Sequence, residues 1–391
     1  MNPPAAPTLG QVAALALRGA PRRLAPGQGK ILRALAACRT AALGGHRYRC
    51  ARCGREHFVP HSCRNRHCPQ CQGARALDWL ARQEAALLPI PYFHLVFTLP
   101  HVLNPLMQQN RRTLFNLLFD AVSQSVLEFG RQRFQAQIGI TAVLHTWGQT
   151  LVDHYHLHCI VTGGGLALDG SGWVSSSPHY LFAVRALSQV FGGKFCAGLQ
   201  RLERAGALEF HGALTPLRQT QEFARLVRAA RQHKWVVYAK RPFAGPQPVL
   251  AYLSRYTHRV AISNGRLVAV DEHQVTFRYK DYADGQRPKT MTLSLEEFIR
   301  RFCLHLLPER FVKIRHYGLV SNRDRQSRLA RARHCLGAAA PATEPERMTP
   351  IPATEPRPPL RCPFCGALAL VWLEELPPRW RAKPVAIADS S

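Results

Sequence analysis

The spacing of apolar positions switches repeatedly between helical and strand periods along this chain. Residues 30–45 (KILRALAACRTAALGG) read as a short helix stopped by Gly44–Gly45, and an Ala/Leu/Arg run from Ala74 to Leu88 predicts a helix ending at Pro89. Between Pro91 and Pro100 aromatic and β-branched residues alternate, as in a strand. Asn104–Pro105 then supplies an N-cap with proline at the first helical position. Leu106, Leu114, Leu117, Phe119, Val122 and Val126 carry the helix on to Gly130. Strands follow at Ile138–Trp147 and Tyr155–Thr162, joined by a short polar turn. Helix dominates Arg185–Gln232, Lys234–Lys240 reads as a strand and Val249–His258 as a helix. Asn264–Gly265 between VAIS and RLVAV is a hairpin signal, and Ser294 with Glu297 makes a capping-box pattern.

Helices interleaved with hairpins predict an α+β fold on a largely antiparallel sheet. Three blocks are expected: a cysteine-rich module over 1–88, a larger domain over 89–330, and a flexible tail over 331–391. In that tail residues 338–360 are rich in Ala, Pro, Thr and Glu and repeat PATEP, as a linker does. No apolar run reaches the ~20 residues of a membrane span, and the start lacks a secretory apolar core, so the expectation is a cytoplasmic protein.

Charge narrows the partner. The 391 residues carry 52 Lys plus Arg against 24 Asp plus Glu, a net of +28, and 44 of the cations are Arg. A codon bias explains Arg in place of Lys but not the excess, and guanidinium forks onto phosphate oxygens, so the partner expected is a nucleic acid. Lys313 and Arg315 belong to a basic stretch read as phosphate contacts, as are Arg255 and Arg259 beside a tyrosine pair described below.

Five of the twelve cysteines crowd into residues 50–71. Cys50/Cys53 and Cys68/Cys71 are two knuckles, enough for one tetrahedral zinc, with Cys63 and His67 as alternative ligands; with His46 or His57 a second ion is possible. Cys362 and Cys365 form a lone half-knuckle that His334 and Cys335 would complete. Unliganded core cysteines are the competing explanation.

His154, His156 and His158 alternate along a strand and so face one side. His156 and His158 lie about 7 Å apart at Cα, whereas His154 is roughly 13 Å from His158, too far for all three to share an ion easily. A hairpin turning near residues 150–151 sets His145 opposite His156, which makes His145 the derived third ligand, with His154 and Gln149 behind it. Tyr252 and Tyr256, at i and i+4, emerge on one helical face; alone they match an aromatic packing stripe. Beside a bound cation, a phenol becomes a usable nucleophile toward phosphorus.

With SCRNRHCPQC, HTWG, HYHLHCIVTGGG and YLSRYTHRVAIS in that order, residues 30–330 resemble the rolling-circle transposases of the insertion-sequence-ninety-one family. Tyr155 departs from the pattern, standing where proline is expected. The resemblance implies an HUH-endonuclease-like sheet with packed helices behind an amino-terminal zinc-binding domain. His156-Leu157-His158 falls on the family's histidine–hydrophobic–histidine motif and Tyr252 and Tyr256 on its paired tyrosines. It further implies a Mg²⁺ or Mn²⁺ ion at the histidines, a 5′-phosphotyrosine intermediate and single-stranded DNA ends as substrate. A zinc-dependent hydrolase and a non-catalytic zinc-ribbon regulator are the rival classes. The first needs a carboxylate base, for which Asp153 is the candidate, and the second leaves the histidine strand without a role.

Overall fold

A computed structural model describes residues 6–19, 24–243, 248, 261–282, 284–338 and 361–378. The chain divides into two compact units that cut across the expected block boundaries: described residues within 1–75, 262–303 and 345–391 form one, and those within 76–261 and 304–344 the other.

In the first unit, α1 (Leu9–Arg18) opens on a capping box: Thr8 Oγ1 accepts from the Gln11 N–H while Gln11 Oε1 accepts from the Thr8 N–H. α2 (Pro26–Ala37) starts on proline and stops at Ala37, short of the predicted helix; Arg39 turns the chain at φ 58° and a single 3₁₀ turn precedes β1 (Gly45–Cys50). β2 (Glu56–Pro60) pairs antiparallel with β1, and α3 (Pro69–Ala86) begins directly after the cysteine cluster. A second antiparallel sheet orders β8 (Leu267–Val270), β9 (Gln274–Asp281) and β10 (Arg287–Ser294) as β10-β9-β8, and leads into α8 (Leu295–Leu304). The expected hairpin at Asn264–Gly265 is instead a 3₁₀ turn, Asn264–Arg266, because Asn264 Oδ1 accepts from the Leu9 N–H at the start of α1, and β8 pairs with β9. Ser294 does cap α8, but Glu297 turns to Arg300 and Arg301, which hold its carboxyl down to about 2.

Two stretches in or reaching into the expected tail block, 331–391, form regular elements. α9 (Arg325–Cys335) continues past Ala330 because Leu329 and Ala332 are buried. β12 (Leu370–Leu376) joins the first sheet, in the order β12-β1-β2.

The second unit is built on an antiparallel sheet of β11 (Ile314–Gly318), β4 (Ala136–Trp147), β5 (Asp153–Ala167), β3 (Tyr92–Thr98) and β7 (Val236–Phe243), in that order, with β6 (Trp173–Ser175) on β5. Alternation along β5 sends Tyr155, Leu157, Cys159 and Val161 into the main apolar core. There they meet α5 (Arg111–Phe134), α6 (Val184–Arg204) and α7 (Thr220–Gln232). His156, His158 and Ile160 take the opposite face; Ile160 sits in a smaller cluster with Tyr92, Val143, Trp79 and Leu329. The helix expected from Asn104 to Gly130 breaks at Asn110 into α4 (Asn104–Gln109) and α5. Asn110 exchanges two hydrogen bonds with the Glu209 backbone, tying the break to the following layer. No helix among the described residues is long and apolar enough to cross a membrane.

Candidate functional site

The β4–β5 hairpin decides the histidine geometry. His145 pairs directly with His156 and Val143 with His158, the register that a turn at residues 150–151 requires. One coordinating nitrogen from each of His145, His156 and His158 lies within 4.8 Å of the others, and all three rings are buried. His156 Nδ1–H donates to the His154 carbonyl at 2.8 Å, which leaves Nε2 as its lone-pair nitrogen. His158 Nδ1 shares a 2.9 Å hydrogen bond with His94 Nε2 on β3, so its Nε2 faces the cluster. Burial, then the neighbouring His154, pushes His156 down to about 3, keeping the imidazole neutral. His154 stands outside this group; its Nδ1 lies 3.3 Å from His101 Nε2. Asp153 accepts from Gln108, and among the described residues no carboxylate joins the triad. Three buried imidazoles fit a divalent cation, and without a carboxylate the set suits Mn²⁺ or Zn²⁺ better than Mg²⁺.

The cysteines are arranged differently from the expected single site. The two amino-terminal knuckles do not meet. Cys68 and Cys71 gather with Cys38 and Cys63, with sulfur separations of 3.5 Å (Cys38–Cys71, Cys38–Cys68) and 3.6 Å (Cys63–Cys71). Zinc–sulfur bonds of about 2.3 Å make a tetrahedron with edges of about 3.8 Å, so this tetrad fits zinc, and it is far too open for disulfides at about 2.05 Å. Cys63 therefore belongs to the tetrad. His67 does not: it is buried with its Nδ1 on Asn65 Oδ1. The Cys63 side chain, opposed by burial and helped by the Cys71 N–H, holds Cys68 down to about 5, a thiolate ready for metal. Cys50 and Cys53 lie 3.6 and 3.7 Å from Cys365 and Cys362. The Cys53 N–H, with burial opposing and the Arg52 N–H assisting, brings Cys50 down to about 7.

Of the remaining candidates, Tyr252, Tyr256, Arg255 and Arg259 lie outside the described residues, as does the helix expected at Val249–His258. Arg315 is half-buried; it donates to Asn116 Oδ1 and its guanidinium lies 4.2 Å from the Phe119 ring centroid. Lys313 is buried, and its carbonyl accepts from the Leu144 N–H.

Family comparison meets this geometry in both units. Residues 139–328 match the model of a putative transposase, and residues 12–99 match a transposase zinc-binding domain. The putative transposase y4qJ of Sinorhizobium fredii is 46% identical over 321 residues, 82% of this chain and 81% of the relative. The chain belongs to the insertion-sequence-ninety-one family of transposases. The transposase for insertion sequence element IS801 of Pseudomonas savastanoi pv. phaseolicola is 30% identical over 337 residues, 85% of this transposase and 80% of the relative. Among solved structures, the conjugative relaxase TrwC in complex with OriT DNA, a metal-free structure, covers 42% of this chain and 71% of its own, at 14% identity and a TM-score of 0.23, too loose a superposition for comparing sites. The matched zinc-binding domain and the Cys38 tetrad together support structural zinc in this transposase.

Sequence reasoning missed Cys38 and His94, and gave Cys362 and Cys365 other partners than Cys50 and Cys53. Cys38 is hidden in a helix-like run, and its only signal was the unexplained cysteine near the end of an apolar segment. His94 is one histidine in an aromatic strand, and Cys362/Cys365 showed only as half a knuckle.

Proposed function

We propose that this transposase cuts and rejoins DNA through a covalent bond to Tyr252 or Tyr256, with a divalent cation held by His145, His156 and His158. The observation that carries the proposal is the buried cluster of three imidazoles on β4 and β5, in a chain whose family moves DNA. When bound, the cation supplies positive charge to the scissile phosphate; Mn²⁺ fits the donors better than Mg²⁺. The tyrosine oxygen forms the new bond to phosphorus and gives up its proton. The bond from phosphorus to the 3′ oxygen breaks, and that oxygen takes up a proton as it leaves. A 5′-phosphotyrosine and a free 3′-OH remain, and because the ester is exchanged rather than hydrolysed, rejoining needs no nucleotide cofactor. The second tyrosine permits a further cleavage while the first is occupied, as rolling-circle transposition requires. The substrate is single-stranded ends of the chain's own element, with a cytoplasmic, nucleoid-associated site of action. The net charge of +28 supports such a partner, and binding should weaken steeply as salt rises.

Incubation of the full chain with labelled single-stranded ends and Mn²⁺ tests this directly. A covalent adduct is expected from the unaltered chain and none from the Tyr252→Phe/Tyr256→Phe double variant; an adduct from the double variant removes the tyrosines from the reaction. His156→Ala should slow adduct formation by about a hundredfold or more, since a cation contributes several kcal/mol to such a transition state and each ~1.4 kcal/mol is tenfold. Undiminished cleavage by His156→Ala would exclude the histidine-held ion.

A further inference from the structure

We propose that Cys50, Cys53, Cys362 and Cys365 hold a zinc ion of their own, separate from that of the Cys38 tetrad, and that it fastens the carboxyl-terminal strand into the amino-terminal sheet. The four sulfurs lie within 4.8 Å of one another, with Cys50–Cys365 at 3.6 Å and Cys53–Cys362 at 3.7 Å, again the edge of a zinc–thiolate tetrahedron.

A second observation is independent of the sulfurs. The two segments are backbone copies of each other, although 309 residues separate Cys53 from Cys362. Each reads Cys-x-x-Cys-Gly. In the first, the Gly54 N–H donates to the Cys50 carbonyl at 2.8 Å; in the second, the Gly366 N–H donates to the Cys362 carbonyl at 2.9 Å. The two glycines sit at φ 70° and 72°. A Cβ would meet nothing within 4 Å at either, so glycine is there for the turn and not for space. Such a turn aims backbone N–H groups at sulfur, and two of them facing one another close a four-thiolate site with no open position, which makes the ion structural rather than catalytic.

The strands agree with the knuckles. β1 runs into the first knuckle and β12 leaves the second, and they pair antiparallel from Gly45↔Leu376 to Cys50↔Leu370. The Ala51 N–H adds a bond to the Ala369 carbonyl at 2.8 Å, and Arg55 lies over the ring of Phe364 at 5.1 Å. Arg47 pairs with Glu374, and His61 Nε2 with Glu375 at 3.1 Å. The result is a zinc ribbon assembled from two ends of the chain, whose second half lies beyond the matched zinc-binding domain at residues 12–99.

The test uses the full chain. Zinc per chain is measured by mass spectrometry of the purified protein and of Cys362→Ser/Cys365→Ser, and protected cysteines are mapped by alkylation and peptide analysis. The double variant should hold one zinc fewer, and Cys50 and Cys53 should become reactive while Cys38, Cys63, Cys68 and Cys71 stay protected. Equal zinc content, or continued protection of Cys50 and Cys53, overturns the proposal. If the variant does not fold, the unaltered chain decides alone: chelator titration should release these four cysteines together with one equivalent of zinc. Free alkylation of Cys362 and Cys365 before any zinc leaves would refute the site.

Discussion

At the scale of single residues, the histidine face shows how burial selects protonation states. His305 is the instructive neighbour. Its Nε2 lies 3.0 Å from the Leu151 carbonyl in the β4–β5 turn and its Nδ1 3.3 Å from Thr146 Oγ1, so the ring fastens the hairpin that carries His145 and His156. Burial above all brings it from the usual 6.5 to about 4. The unfolded chain therefore binds this proton more readily than the folded one, and stability falls as pH drops from about 6.5 to about 4. The full shift amounts to roughly 3 kcal/mol at about 1.4 kcal/mol per unit. Urea unfolding between pH 7.5 and 4.5 should show this loss, and His305→Gln should reduce the pH slope by up to about one proton; an unchanged slope would show that another group carries it. In the sequence, H-x-H-x-H already told that three rings share a face, since that follows from strand alternation alone. It did not reveal His94 or His305, whose significance lies in contacts made from other strands and loops.

At the scale of elements, β5 outruns its expected end. The sequence reading ends the strand at Thr162, yet it continues through Gly163-Gly164-Gly165 to Ala167. The glycines are where neighbouring backbones come closest. At Gly165 a Cβ would lie 2.4 Å from the Gln137 carbonyl oxygen of β4, and at Gly164 (φ 136°) 2.3 Å from that of Val174 on β6. Between Ile138 and Ile140 of β4 the register slips, and Thr162 Oγ1 fills the irregularity by accepting from the Gly139 N–H. Gly165→Ala should therefore destabilise the second unit by about 1–3 kcal/mol in chemical unfolding, as overpacking does. A neutral result would mean that β4 and β5 can separate there at no cost. Period-two alternation identified β3, β4 and the first half of β5 because each has one apolar face. Glycine's poor intrinsic strand preference concealed the second half, where close approach outweighs propensity.

At the scale of the whole molecule, each unit is made from segments distant in sequence, with residues 262–303 and the tail joining the amino-terminal region. Local signals determined a good deal about this chain: the helix and strand periods, the α+β class, the cysteine knuckles as metal ligands, the histidine face, the surplus of cation and the family pattern. Apart from the charge and the family pattern, each rests on a spacing of a few residues, set by helix pitch, strand rise or the tightness of a turn. The partnering of those pieces was decided only in three dimensions. Two Cys-x-x-Cys patterns with fourteen residues between them invite one zinc site, whereas the fold sends one to Cys38 and Cys63 and the other to Cys362 and Cys365. Closing a long loop costs only slightly more entropy than closing a medium one, so strand pairing and sulfur geometry, rather than nearness in sequence, select the partner.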